Sequence, residues 1–349
     1  MGKIGVVFAG GGGKGSYQVG VWKALKQLGI DKHMDGVSGT SIGALNGAMF
    51  LQDNYEGAEN VWLNISQEKM LPVDKRLILR NLIVMEISRK KLENILQWAD
   101  RVEKYGTVTR EGLLEIIDKN IDYEVIKKEK RPFYVTCTGV PDLEAKYFKV
   151  NGYEEEDIKL LLSATTSIPL VFNKVLIDGN YYVDGGMKDN IPIKPLYDEG
   201  FSTIIVIYFH KEYRINKEEY PNSNIIEILP SKDQGGWISG TLDFTNFGSI
   251  ERIIDGYKDT LNIFKGVMDD FKEGEDLELY LKNNMEILEK NLEEGLEYET
   301  SIEDNVKRIK HMRVVDNNLK NVRKLRRSNN SKGIFQKLKE ITISNNQIK

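Results

Sequence analysis

The sequence predicts an α/β fold: three layers, α/β/α, around a mostly parallel sheet, with a helical region behind it. Three observations carry this. Short β-like runs alternate with helical patterns, and all of those runs precede residue 230. All eight prolines lie between Pro72 and Pro230. Twice, a β-like run enters a glycine-rich turn that opens directly into a helical pattern.

Ile4–Phe8 is the first expected strand; its apolar stretch is too short for a secretory signal, and a glycine run follows at once. Val6 stands where a myristoylation site at Gly2 would need Ser or Thr. A helix is expected over Ser16–Leu28, a strand over Met34–Ser38 and a helix over Ile42–Leu51, which has small residues near its start. Residues 55–130 are strand-poor, with helical patterns at Arg89–Val102 and Glu111–Lys119, and read as a helical insertion on one face of the sheet. Strands follow at Phe133–Thr138 and Ala145–Val150, a helix at Glu154–Ser163, then strands at Thr203–Phe209 and Ile225–Leu229. These elements define a domain over 1–230.

The remaining 231–349 form a helical, charge-segregated region. Leu277, Leu281, Leu288, Leu292 and Leu296 fall on one helical stripe. Ile302, Val306, Ile309, Met312, Val315, Leu319, Val322 and Leu325 form another. Residues 231–304 hold 7 Lys+Arg against 19 Asp+Glu, whereas 305–349 hold 13 against 2. Two readings stand: acidic and basic helices that pair, or a basic amphipathic end that rests on anionic lipid. Phe335 is the only aromatic among the basic residues, which disfavours nucleic acid.

The composition of the 349 residues, 40% apolar and 29% charged with net charge −4, excludes wholesale disorder and a polytopic membrane protein. The longest clean apolar run, Ile204–Phe209, is far below the ~20 residues of a membrane span. One cysteine, Cys137, excludes an internal disulfide and a multi-thiolate zinc site, and His33, His210 and His311 are widely spaced. No metal or organic cofactor is expected. The expected location is the cytoplasm, with peripheral contact at the inner membrane surface.

Three motifs carry chemistry. Ala9-Gly10-Gly11-Gly12-Gly13-Lys14-Gly15-Ser16 joins a strand to a helix. Without Cβ atoms, consecutive N–H groups can turn toward one point, and the helix N-terminus adds positive potential, so the loop suits an anion. That anion could be a phosphate or the oxyanion of an acyl transfer. Gly10, Gly12 and Gly15 also satisfy the dinucleotide fingerprint, while Ser16 in place of Lys disfavours a P-loop. Gly39-Thr40-Ser41-Ile42-Gly43 is the one G-x-S-x-G in the chain, and a sharp strand-to-helix turn there would expose the serine oxygen. Asp184-Gly185-Gly186 follows Asn180-Tyr181-Tyr182-Val183; by itself it reads as a hairpin turn.

Taken together, these motifs resemble the patatin-like phospholipases, and so do Ser163-Ala-Thr-Thr-Ser-Ile-Pro-Leu-Val-Phe172 and Asp189-Asn-Ile-Pro-Ile193 between and after them. The resemblance covers about residues 3–210. It implies a lipid acyl hydrolase whose nucleophile is Ser41 and whose base is Asp184, a dyad without histidine. It implies an oxyanion hole on the amides of Gly11, Gly12 and Gly13. Gly10, Lys14, Gly15, Gly39, Gly43, Gly185 and Gly186 would support the motifs, and the substrate would be a phospholipid or related ester. Ala9 and Lys14 depart from plant members, which have Asp and Arg there. Lys14 could orient the loop, meet a lipid phosphate, or be a solvated first-turn lysine.

Three other readings remain open on the residues. His210 ends an apolar strand, and Ser41, Asp184, His210 would match the chain order of an α/β-hydrolase triad, although that nucleophile follows several strand–helix units and Ser41 only one. A dinucleotide-binding oxidoreductase needs an acid at the end of the second strand, and Asp35 comes at its start. A lipid-binding protein with an idle site would keep the motifs without turnover.

Overall fold

The computed structural model describes residues 2–70, 111–169, 171–272 and 274–297. Arg89–Val102, the stripe from Ile302 to Leu325 and the basic stretch 305–349 lie outside them.

Eight strands form one sheet: β1 Ile4–Phe8, β2 Gly36–Thr40, β3 Phe133–Val140, β4 Ala145–Lys149, β5 Val175–Ile177, β6 Asn180–Asp184, β7 Thr203–Ile207 and β8 Asn224–Ile228. The parallel part runs β3-β2-β1-β7-β8; β4, β5 and β6 add antiparallel pairs at the β3 side. The β-branched runs of β1 and β7 are buried along their whole length, as central parallel strands covered on both faces must be.

Helix α2, Ile42–Leu51, covers one face: a Cβ at Gly47 would stand 3.1–3.6 Å from the side chains of Val37, Phe133 and Phe8. The opposite face is covered by Leu196, on the short helix Lys194–Asp198, and by Phe201; both fill the space left by Gly5, and Phe201 also fills that left by Gly36. The result is the three-layer α/β/α arrangement with a mostly parallel sheet.

The sequence places strand two at Met34–Ser38; the ladder begins at Gly36 and runs to Thr40, so Ser41 follows the strand directly. The Asp-Gly at 184–185 makes no hairpin. Asp178-Gly179 does: both have positive φ (49° and 77°), and Ile177 pairs with Asn180 across the two-residue turn. Within 55–130, the described residues are helical at Tyr55–Asn64, Gln67–Met70, Glu111–Asn120 and Tyr123–Lys128.

The first compact unit extends through Leu296, and the second begins at Glu297. Residues beyond 230 belong to the first because the helix Asn246–Ile263 packs backbone to backbone on α1, Gly15–Gln27. A Cβ at Gly20 would lie 2.0 Å from Ile253 O, and one at Gly256 would lie 2.1 Å from Tyr17 O. Half-buried Asp259 adds a polar tie, accepting from Tyr17 Oη (3.1 Å), Ser231 N (3.0 Å) and Ser231 Oγ (2.6 Å). The leucine stripe is also observed: Leu277, Leu281, Leu288 and Leu292 are buried, shared between the helix Leu277–Asn283 and helical residues 285–297. Among the described residues, no helix is long and apolar enough to cross a membrane.

Candidate active site

The register of β3 assembles the site. β4 occupies one edge of β3, and β2 and β6 share the other. β2 runs parallel to β3 and ends with Thr40 opposite Thr136; β6 runs antiparallel and ends with Asp184 opposite Cys137. The two strands approach from opposite directions and terminate at adjacent positions. Ser41 and Asp184, 143 residues apart in sequence, therefore meet: Ser41 Oγ donates to Asp184 Oδ2 at 2.6 Å.

Ser41 has φ 54° and ψ −130°, a conformation an L-residue adopts only under constraint. The turn is tight because both flanking glycines are filled by backbone. A Cβ at Gly43 would stand 2.2 Å from Phe8 O, and one at Gly39 would stand 2.7 Å from Ala44 N. Ser41 N donates to Thr165 Oγ1 at 2.8 Å, and that hydroxyl donates to Thr136 O at 2.5 Å. Thr165, on the helix Glu155–Thr165, thus clamps the turn to β3.

Asp184 is 6% exposed. Its Oδ1 accepts from Gly186 N at 2.8 Å, opening a 3-10 turn over Gly185–Met187. Gly185 has no room for a side chain, since a Cβ would lie 2.2 Å from Thr136 O. Burial penalises the carboxylate more than the bonds from Ser41 and Gly186 favour it, so its pKa rises from 3.8 to about 6. An acid held there is a far better proton acceptor near neutrality than an ordinary aspartate.

The glycine loop lies beside this pair. A Cβ at Gly10 would stand 3.2 Å from Ser41 Cβ. Gly12–Lys14 form a 3-10 turn that leads into α1. Gly10 N donates to Asn190 O (3.1 Å), Lys14 N to Gly11 O (3.2 Å) and Gly15 N to Gly12 O. Among the described residues, the amides of Gly11, Gly12 and Gly13 donate no hydrogen bond. They are free donors at a helix start, suited to an oxyanion. Gly12 needs its glycine twice over: φ is +58°, and a Cβ would lie 2.1 Å from Thr241 O.

Lys14 is not a solvated lysine. It is 3% exposed, its stem runs beneath Gly240, and burial draws its ammonium below the usual value, opposed by nearby Asp233. His210 stands outside the Ser41–Asp184 pair. Its side chain is half exposed, with Nδ1 3.4 Å from Glu212 Oε1, so the structure supplies no triad contact. Asp35 accepts from Ile4 N at 2.9 Å as a tie at the start of β1, and β2 ends without an acid. The dinucleotide reading therefore lacks its ribose ligand. Among the described residues, no three His, Cys, Asp or Glu side chains converge as a metal site would require. The sequence reading gave no role to Thr165, Asp189 or Asn190, since hydroxyls and amides that act through tertiary contacts leave no periodicity; only their place in the quoted segments marked them.

A patatin-like phospholipase family model matches residues 6–197. A lysophospholipase nte1 of Aspergillus niger is 48% identical over 210 residues, which is 58% of this chain and 12% of that protein. A lysophospholipase nte1 of Aspergillus terreus is 52% identical over 50 residues, 14% of this chain and 3% of that protein. The chain thus spans no more than about an eighth of the curated relatives it matches. The crystal structure of VipD from Legionella pneumophila is similar at 14% identity and TM-score 0.46, over 97% of this chain and 79% of that one. The family match covers more than half of the chain and includes all three motifs: this chain belongs to the patatin-like phospholipase family.

Proposed function

We propose that the chain is a serine hydrolase of lipid carboxylic esters, phospholipase A-type in its chemistry, working through an acyl-enzyme. The observation that carries this reading is the 2.6 Å hydrogen bond from Ser41 to a buried Asp184, set beside three unpaired loop amides. Ser41 Oγ attacks the ester carbonyl carbon as its proton passes to Asp184 Oδ2. The carbonyl oxygen becomes an oxyanion and is held by the amides of Gly11, Gly12 and Gly13. The intermediate collapses; the C–O bond to the alcohol or lysolipid breaks, and Asp184 returns the proton to the leaving oxygen. A water then attacks the acyl-enzyme, Asp184 takes its proton, and collapse expels Ser41 Oγ, which regains that proton as the fatty acid leaves. A serine hydroxyl needs such a base, and the charge that develops needs donors fixed in advance.

The proposed catalytic residues fall within 1–230, the proposed catalytic domain, and the compact unit that holds them continues to Leu296. The 13 Lys+Arg against 2 Asp+Glu of residues 305–349 support peripheral contact with anionic membrane. The deciding experiment is mass spectrometry of products from a mixed lipid extract, wild type against Ser41→Ala. Release of fatty acid and lysolipid by the wild type alone is expected; equal release by both proteins would overturn the reading.

A further inference from the structure

The segment Asp189–Ile193 has no task in this mechanism, yet its first two residues touch all three motifs. Thr40 Oγ1, one residue before Ser41, donates to Asp189 O at 2.9 Å. Asn190 and Gly10 are joined twice: Gly10 N donates to Asn190 O at 3.1 Å, and Asn190 Nδ2 donates to Gly10 O at 3.0 Å. Asn190 Oδ1 fills the space that two glycines leave. It would lie 2.4 Å from a Cβ at Gly10 and 2.8 Å from one at Gly186. Asp189 is anchored in turn, its Oδ2 accepting from Tyr147 Oη at 2.7 Å and its Oδ1 from Ile191 N at 3.1 Å.

We propose that Asn190 is a positioning residue: wedged between Gly10 and Gly186, it holds the glycine loop at a fixed distance from the turn that carries Asp184. Among the described residues, the amides of Gly11, Gly12 and Gly13 donate no bond, so the loop's placement depends on its neighbours, and Gly10 is where the side chain of Asn190 grips it. Catalysis by charge stabilisation demands that donors be in place before the oxyanion forms, so a loosened loop acts on the transition state more than on the bound substrate. The catalytic consequence rests on the Ser41–Asp184 reading above; the mechanical coupling does not.

The test uses the full chain with Asn190→Ala, which removes the wedge, and Asn190→Asp, which keeps its shape but replaces the Nδ2 donor by an acceptor facing Gly10 O. Hydrogen exchange is measured at the amides of Gly10, Lys14 and Gly15, the loop amides that donate bonds, and steady-state kinetics with a water-dispersed ester. Faster exchange at these amides in both variants is expected. With it we expect kcat lower by about 10²-fold and KM within about threefold. Unchanged loop exchange overturns the proposal whatever the kinetics, and so does faster exchange with kcat intact. Faster exchange in a protein whose wild type hydrolyses no ester upholds the coupling and discards the hydrolase reading instead. A partly unfolded alanine variant is recognised by exchange throughout β1 and β7, and the aspartate variant then decides.

Discussion

Asp184 stands opposite Cys137 in the sheet, one position beyond the Thr136 that faces Thr40. This single step of register converts two strands that run in opposite directions into one site, because the residue after Thr40 and the residue at the end of β6 must then share the same corner. The hydroxyl–carboxylate bond follows from strand geometry, and the glycine turns only make room for it.

On the proposed mechanism, Ser41→Ala abolishes ester hydrolysis and labelling by a fluorophosphonate. Asp184→Asn, which cannot accept the proton, lowers kcat by about 10²–10⁴-fold. His210→Ala retains most activity. Kinetics of the three purified variants check this. Full loss with His210→Ala together with survival of Asp184→Asn would reverse the assignment.

On the same proposed mechanism, with Asp184 as base, the pH dependence follows from that residue. The base works only when ionised, and burial raises its pKa to about 6. The rate constant kcat/KM should therefore rise about tenfold per unit below pH 6 and level off above it. Stability moves the other way. A carboxyl whose folded pKa is raised stabilises the fold when protonated, below about 4, and that contribution is lost as pH rises through about 6. A pH–rate profile that keeps its acid limb in His210→Ala, beside thermal melts across pH 4–7, checks both signs.

Glycine substitutions separate space from chemistry. Gly43→Ala would drive a methyl to 2.2 Å from Phe8 O, a backbone atom in a central strand. It should destabilise the protein by about 1–3 kcal/mol, as overpacking does, and reduce labelling of Ser41. Gly152→Ala meets nothing within 4 Å but sits at φ +83°, so it should cost only local strain and leave labelling intact. Denaturant titration with probe labelling distinguishes the two.

Truncation tests the reach of the first unit. A chain ending at residue 230 loses the helix that buries Tyr17 and Val21 and the Asp259 tie, and should aggregate or expose α1 to protease. A chain ending at 296 should stay folded. Limited proteolysis and calorimetry of both decide it.

The basic stretch 305–349 should carry salt-sensitive binding to anionic vesicles. Co-sedimentation of the chain with and without those residues, at low salt, is the measurement; equal binding by both removes the idea.

The sequence by itself determined the strand–helix alternation, the three motifs and the family, because buried strands, glycine turns and the G-x-S-x-G elbow each need particular residue types at short spacing. It placed β1, α2 and the leucines of 277–292 almost as found, since periodicity and burial coincide there. Only the tertiary structure decided what depends on distant partners. Asp184-Gly185 reads locally as a hairpin, but the hairpin forms at Asp178-Gly179, and Asp184 is left to end β6 beside Ser41. The pKa of Asp184 rises through burial, which no local spacing encodes. Thr165 and Asn190 act through hydrogen bonds to residues 124 and 180 positions away, and such contacts exist only once the sheet has set its register.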